Sequence, residues 1–258
     1  SQLDVDRMDY LLRDALYTGA DYGRFQLDRI LHTLTLDGER VVIRHKGLQA
    51  AEEYVLSRYF MYWRVYLHKT TRGQEVLLKA IVRRAQSLAE TDPAAARLAR
   101  LWQGRPTLAD YLRVDDTDLL VSLKAWADAP DPVLADLSRR FLSRRLLKPV
   151  FPAPVPGLAP EALHIAADIV QRAGFPPESY CLLDSAANIP YDPYVHANSN
   201  GVGKPILVAV DAGPPVEISQ LSPLIRALAS QRIAAVNLYV PEECRPAVRA
   251  AVHSLVSE

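Results

Sequence analysis

Near the start of the chain, DVDRMDYLLRD (Asp4 to Asp14) crowds carboxylates, arginines and a phenol into one short stretch. On a helix turning about 100° per residue, with Asp6 at zero, Arg7 falls at about 100°, Tyr10 at about 40° and Asp14 at about 80°. These four share one arc. Met8, Leu11, Leu12 and Ala15 fall between about 140° and 240°, an apolar stripe suited to burial. A helix so built leans its apolar side on a core and offers a carboxylate, a guanidinium, a phenol and a second carboxylate to one ligand. A carboxylate holds a divalent cation, an arginine holds phosphate, and a Tyr/Asp pair suits a sugar. Periodicity alone also describes a solvated face laced with helix-surface ion pairs, and by itself favours that description.

A second stretch, EEYVLSRYFMYWRVY (52–66), is apolar nearly all round, with Val55, Leu56, Phe60, Met61, Trp63 and Val65 pointing in every direction. Such a helix is expected to be buried. Arg58 and Arg64 within it then need partners, because an unpaired buried charge costs on the order of several kcal/mol. Glu52, Glu53 or phosphates could serve. Tyr54, Arg58, Tyr62 and Tyr66 form an i, i+4 ladder.

The elements around these stretches read as helices through residue 145. Helical period runs over Leu3–Thr18 and Phe25–His32, LTLDGERVVIRHKG alternates around Asp37-Gly38 as a hairpin, and RGQEVLLKAIVRRAQSLAE is amphipathic. Two or three further helices are expected before Arg145. KPVFPAPVPGLAP then holds five of the chain's 19 prolines and is either an extended edge or a linker. Beyond it ALHIAADIVQRAG, LSPLIRALAS and ECRPAVRAAVHSL (helices) alternate with YCLLD, PILVAVD and AAVNLYV (strands). The expected fold is therefore a mainly helical portion over 1–145, with a β-hairpin near 34–45, followed by a small α+β lobe over 146–258.

Composition is that of a globular protein: 49% apolar, 23% charged and no formal net charge. Nothing global points to nucleic acid or to an anionic membrane, and no apolar run is long enough to span one. Cys181 and Cys244 lack metal-ligand spacing and read as core thiols of a reduced, cytoplasmic protein. NSNGVGK (198–204) lacks the full phosphate-loop pattern, and SRRFLSRR (138–145) reads as a basic helix end.

The first motif, SQLDVDRMDYLLRDALYTGADYG, resembles the final motif of the HD-domain deoxynucleoside triphosphate triphosphohydrolases, in particular their bacterial homotetrameric branch. The likeness continues through VVIRHKG, EEYVLSRYFMYWRVYLHKTTRG and the region containing PYDPY. It implies that Asp6 is the last ligand of a catalytic divalent metal (Mg, Mn, Fe or Zn), that Arg7 touches the triphosphate, and that Asp14 contacts the 3′-hydroxyl. Tyr10 would line the deoxyribose and exclude a 2′-hydroxyl. Arg58 and Tyr66 resemble phosphate- and nucleoside-contacting residues; Arg44, Lys46, Arg64, His68 and Lys69 resemble residues around allosteric nucleotide sites between subunits. Leu67 stands where some relatives carry a polar residue, so base contacts differ.

The same resemblance requires an upstream His and a His-Asp doublet. None of the six histidines, His32, His45, His68, His164, His196 and His253, is followed by Asp. Asp6 alone is a weak, open site. The expectation is the C-terminal part of an oligomeric dNTP triphosphohydrolase, inactive alone, with dNTPs as substrate and effector. A non-catalytic nucleotide-binding or oligomerisation module, or an HD phosphohydrolase with another substrate, remains open.

Overall fold

A computed structural model describes residues 2–91, 98, 101, 106–153, 155, 157–188, 205–230 and 233–257. In chain order its elements are α1 (Val5–Thr18), α2 (Leu27–Thr33), β1 (Leu34–Asp37), β2 (Arg40–Arg44) and α3 (Leu48–Met61), then a π-helical segment (Tyr62–Tyr66). Next come α4 (Lys69–Leu88), α5 (Leu108–Leu112), α6 (Asp116–Trp126), α7 (Pro132–Leu142), β3 (Lys148–Pro149) and β4 (Gly157–Leu158). The last are α8 (Pro160–Arg172), α9 (Pro177–Tyr180), β5 (Leu182–Asn188), β6 (Leu207–Ala209), β7 (Val216–Glu217), α10 (Ile218–Leu221), α11 (Pro223–Ala229), β8 (Ile233–Val240), α12 (Arg245–Val252) and β9 (Val256–Ser257). The architecture is mainly helical with small sheets, as expected. Two compact units form: Ser1–His68 with Ala186–Ala234, and Lys69–Ser185 with Ala235–Glu258. Residues after 146, read in the sequence as one lobe, contribute to both.

In the first unit α1 opens on Asp4, whose carboxylate accepts from the Arg7 backbone N–H at 2.8 Å, and ends on Gly19 in the left-handed region at φ 70°. Met8, Leu11 and Ala15 are buried, as the stripe predicts, while Leu12 is only half-buried. They pack with Ile30, Ile43, Tyr54, Val55 and Met61, and with Ile206, Val208, Ile218 and Ile225 from far along the chain. Each large apolar side chain so buried contributes about 1.5–3 kcal/mol.

The late strands complete an early sheet. Its order is β1-β2-β6-β7, and β6 lies parallel to β2 with Ile43 opposite Val208. The hairpin forms one residue away from its expected centre: Asp37 pairs with Arg40, so the loop is Gly38-Glu39, with Gly38 at φ 60°. Positive φ at the first loop position is the requirement of a II′ turn, which only glycine meets cheaply. The chain then turns into α3 through Gly47. A Cβ there would collide with Oγ1 of Thr33 and stand 2.7 Å from Cγ2 of Ile43.

The stretch expected to be one buried helix is neither continuous nor buried all round. α3 stops at Met61 and continues as the π-helical segment, closed by an i to i+5 bond in which Leu67 N–H donates to the Tyr62 carbonyl at 2.7 Å. Phe60 is 40% exposed and Arg64 lies in solvent, so Arg64 needs no buried partner.

In the second unit α4 packs against α7, and α8 against α12. Trp126, Leu77, Ile81, Leu123, Leu134 and Tyr239 are wholly buried in its core. The proline-rich stretch proves extended: β3 pairs with β8, Val155 bridges Val236, and β4 pairs with β9. YCLLD becomes strand only from Leu182, because Tyr180 ends α9, and LSPLIRALAS forms its helix over Pro223–Ala229, capped by Ser222, while Leu221 closes the short helix before it. Among the described residues no helix is long and apolar enough to cross a membrane.

Candidate active site

The polar arc of α1 faces the ladder of α3 and the π-helical segment. Tyr66 O–H donates to Oδ2 of Asp14 at 2.6 Å, and the Tyr10 and Tyr66 rings meet edge to face at 6.2 Å. Tyr62 stacks edge-on against Tyr66 at 5.2 Å and acts on the Tyr10 phenol, helping to raise it. The Arg58 guanidinium lies 5.6 Å from the centre of the Tyr62 ring. Tyr54, wholly buried, donates to the Gln2 carbonyl at 2.9 Å and ties the chain's first residues to α3. The structure therefore brings together Arg7, Tyr10, Asp14, Arg58 and Tyr66 from the residues singled out in the sequence. The opened turn at Tyr62–Tyr66 belongs to a class of helix irregularity frequent at functional sites.

Two cations act on this phenol cluster. Arg7 and Arg58 each exert a field on both Tyr10 and Tyr54. Arg7 Nε pairs with Oδ2 of Asp4 at 3.5 Å, yet its Nη1 is buried without a hydrogen-bond partner. Arg58, 9% exposed, likewise has a buried, unpartnered Nε. No ion pair joins Arg58 to Glu52 or Glu53 among the described residues; Glu53 accepts from Gln26 instead. Buried donors on charged groups are costly to leave unsatisfied, by about 1–3 kcal/mol or more each. Desolvation pushes Tyr10 up to about 12 and raises Tyr54 and Tyr66 as well, Tyr66 helped by its bond to Asp14. All three remain neutral O–H donors at physiological pH. The cluster can accept an anion at its guanidinium edge and a hydroxylated ring among its phenols.

Asp6, on the same helix, is exposed. Among the described residues no three His, Cys, Asp or Glu side chains gather to hold a metal. His32 and His164 each use Nδ1 on a carbonyl of their own helix. His196 and NSNGVGK lie outside the described residues, as does PYDPY. Arg44, Lys46, Arg64 and His68 are exposed on the end of β2, the turn before α3, the π-helical segment and the residue after Leu67. Lys69 opens α4 in the second unit, its Nζ 3.5 Å from the Pro152 carbonyl. In SRRFLSRR, Arg140 is buried against the Phe175 and Tyr180 rings and bonds Asp136 at 2.7 Å, a packing role. Burial pushes the Cys181 thiol up to about 11, which leaves it unreactive. Sequence reasoning overlooked Asp4 and gave Tyr62 no role; the signals were an acid three residues before Arg7 and the middle rung of the ladder.

The sequence profile of the HD-associated region matches residues 25–257. The chain belongs to the HD-associated region family. A relative within reach of this HD-associated region is the uncharacterized protein YwfO of Bacillus subtilis, 36% identical over 247 residues that cover 94% of this chain and 56% of that protein. Among solved structures, a phosphohydrolase from Bacteroides thetaiotaomicron superposes with a TM-score of 0.75 at 28% identity, over 93% of this chain and 61% of that one. A hypothetical protein from Aquifex aeolicus gives 0.65 at 26% identity, over 95% and 56%. The chain thus spans little more than half the length of these proteins.

Proposed function

We propose that this HD-associated region supplies the phosphate- and sugar-binding half of an HD-type phosphohydrolase that cleaves dNTPs to deoxynucleoside and inorganic triphosphate. The observation that carries the reading is the pair of buried, unpartnered guanidinium nitrogens, on Arg7 and Arg58, at one phenol cluster. Such groups are satisfied by a bound anion, and two of them suit the several oxygens of a polyphosphate. The likeness to a phosphohydrolase supports hydrolysis as the reaction class.

In this reading Arg7 and Arg58 hold the phosphate chain, Tyr10 packs under the deoxyribose, and Tyr66 steadies Asp14 to accept the 3′-hydroxyl. Water adds to the phosphorus next to the sugar, the bond to the 5′-oxygen breaks, and the leaving oxygen takes a proton. The described residues of this chain do not fit a complete metal centre, since Asp6 offers a single carboxylate. A divalent cation (Mg, Mn, Fe or Zn) is proposed to share Asp6 with ligands outside the described residues. By the resemblance, the complete protein is a homo-oligomer in which Arg44, Lys46, Arg64, His68 and Lys69 receive effector nucleotides.

The experiment is release of inorganic triphosphate from each dNTP by the complete natural polypeptide, beside its Asp6→Ala variant. Loss of turnover in the variant is expected. Undiminished release would sink the assignment, and nucleotide binding without any release would favour a regulatory module.

A further inference from the structure

We infer that Asp4 is a positioning residue, whose carboxylate aims the Arg7 guanidinium at the anion held in the candidate site. The inference rests on the reading of Arg7 as a phosphate ligand. Asp4 uses both of its oxygens on one neighbour. Oδ1 accepts from the Arg7 backbone N–H at 2.8 Å and closes the N-terminus of α1, while Oδ2 stands 3.5 Å from Arg7 Nε. The ion pair engages Nε and leaves Nη1 buried without a hydrogen-bond partner.

Helix stability does not account for an arginine here. Arg7 occupies the third helical position, where a capping box would place Glu or Gln and where the helix dipole repels a cation. The Asp4–Arg7 pair is also too exposed, at 28% and 32%, to add much stability. What the arrangement provides is orientation. The charge of Arg7 acts on Tyr10 and Tyr54, as does that of Arg58.

A different role, Asp4 as a counter-charge competing with the phosphate, predicts the opposite sign, and Asp4→Asn separates the two. Asparagine caps a helix as well as aspartate does, so α1 keeps its N-terminus while the charge is lost. In the complete polypeptide, the loss of that positioning in D4N raises KM for the dNTP about three- to tenfold with kcat little changed, the scale of one charge-assisted contact. Inorganic tripolyphosphate, measured by calorimetry, weakens in parallel. In an Arg7→Ala background the added D4N change moves neither quantity. An unchanged or lowered KM in D4N overturns the inference, as does an equal rise in the Arg7→Ala background. If Arg7→Ala itself leaves KM and tripolyphosphate affinity untouched, the phosphate reading of Arg7 falls and takes this one with it.

Discussion

Replacing Arg58 by methionine sets binding against stability in a way the structure makes quantitative. Arg58 is 9% exposed and its Nε has no partner, a burden of about 1–3 kcal/mol on the empty protein. Its compensation is the contact with the Tyr62 ring at 5.6 Å, about 0.5–2 kcal/mol. Methionine matches the length of the stem, keeps the apolar packing and removes the unsatisfied donor. The net expectation is a gain of about 1 kcal/mol without ligand, a rise in Tm of about 2–4 °C for a chain of this size. Tripolyphosphate should raise the Tm of the natural protein by mass action and leave Arg58→Met unmoved. A thermal melt with and without tripolyphosphate reads both effects. If R58M loses more than about 1 kcal/mol without ligand, the guanidinium is a structural group and the anion argument fails.

Three further perturbations have definite expected outcomes. Tyr10→Ala opens the space beside Tyr66 and should lower the ratio of dNTP to NTP turnover tenfold or more, read by paired substrate assays; an unchanged ratio removes Tyr10 from the sugar pocket. The raised phenols of Tyr10, Tyr54 and Tyr66 favour the neutral form in the folded state, so their contribution to stability is whole below about pH 10; that of Tyr10 is lost as pH climbs through about 12, and those of Tyr54 and Tyr66 at still higher pH. Near-ultraviolet difference absorbance should therefore show them ionising with unfolding, and early ionisation in the folded state would contradict their burial. Asp131 caps α7 at the Leu134 N–H, 2.7 Å away, and takes two bonds from Arg84, at 3.0 and 2.5 Å. Asp131→Ala should cost about 2–3 kcal/mol in urea unfolding. Because Arg84 holds the Asp131 carboxyl below its usual value, the natural protein should lose that margin as pH falls below about 4, and the variant should not.

The parts of the site governed by helical repeat were readable in the sequence, and those governed by distant pairing or local register were not. Arg7, Tyr10 and Asp14 share an arc because 3.6-residue periodicity dictates it, and the stripe opposite them is buried save for Leu12. The rungs Tyr54, Arg58, Tyr62 and Tyr66 were equally visible. Their setting was not: a π-helical turn leaves no compositional mark, so the break after Met61 and the turning outward of Arg64 escaped notice. Asp37-Gly38 suggested a loop by its residue types, whereas the ladder keeps Asp37 in the strand, ion-paired to Arg40 at 2.7 Å. β6 beside β2 had no local signal at all, because parallel neighbours are joined by long connections that periodicity does not register.

That parallel pairing bears on how the chain is made. Ile43 emerges from the ribosome long before Val208, its opposite number, by about ten to thirty seconds at ordinary rates of synthesis. Until then the apolar side of β2 and of α3 lacks Ile206, Val208, Ile218 and Ile225, which complete their core. The nascent first unit is therefore an unfinished layer, held open while the whole second unit's main segment is translated. Contacts so distant in sequence slow folding and expose strand edges in the interval. The cluster of α1 and α3 thus belongs to a unit whose early segment is made well before the strands that complete it, and that interval is the stage at which a chaperone would matter most.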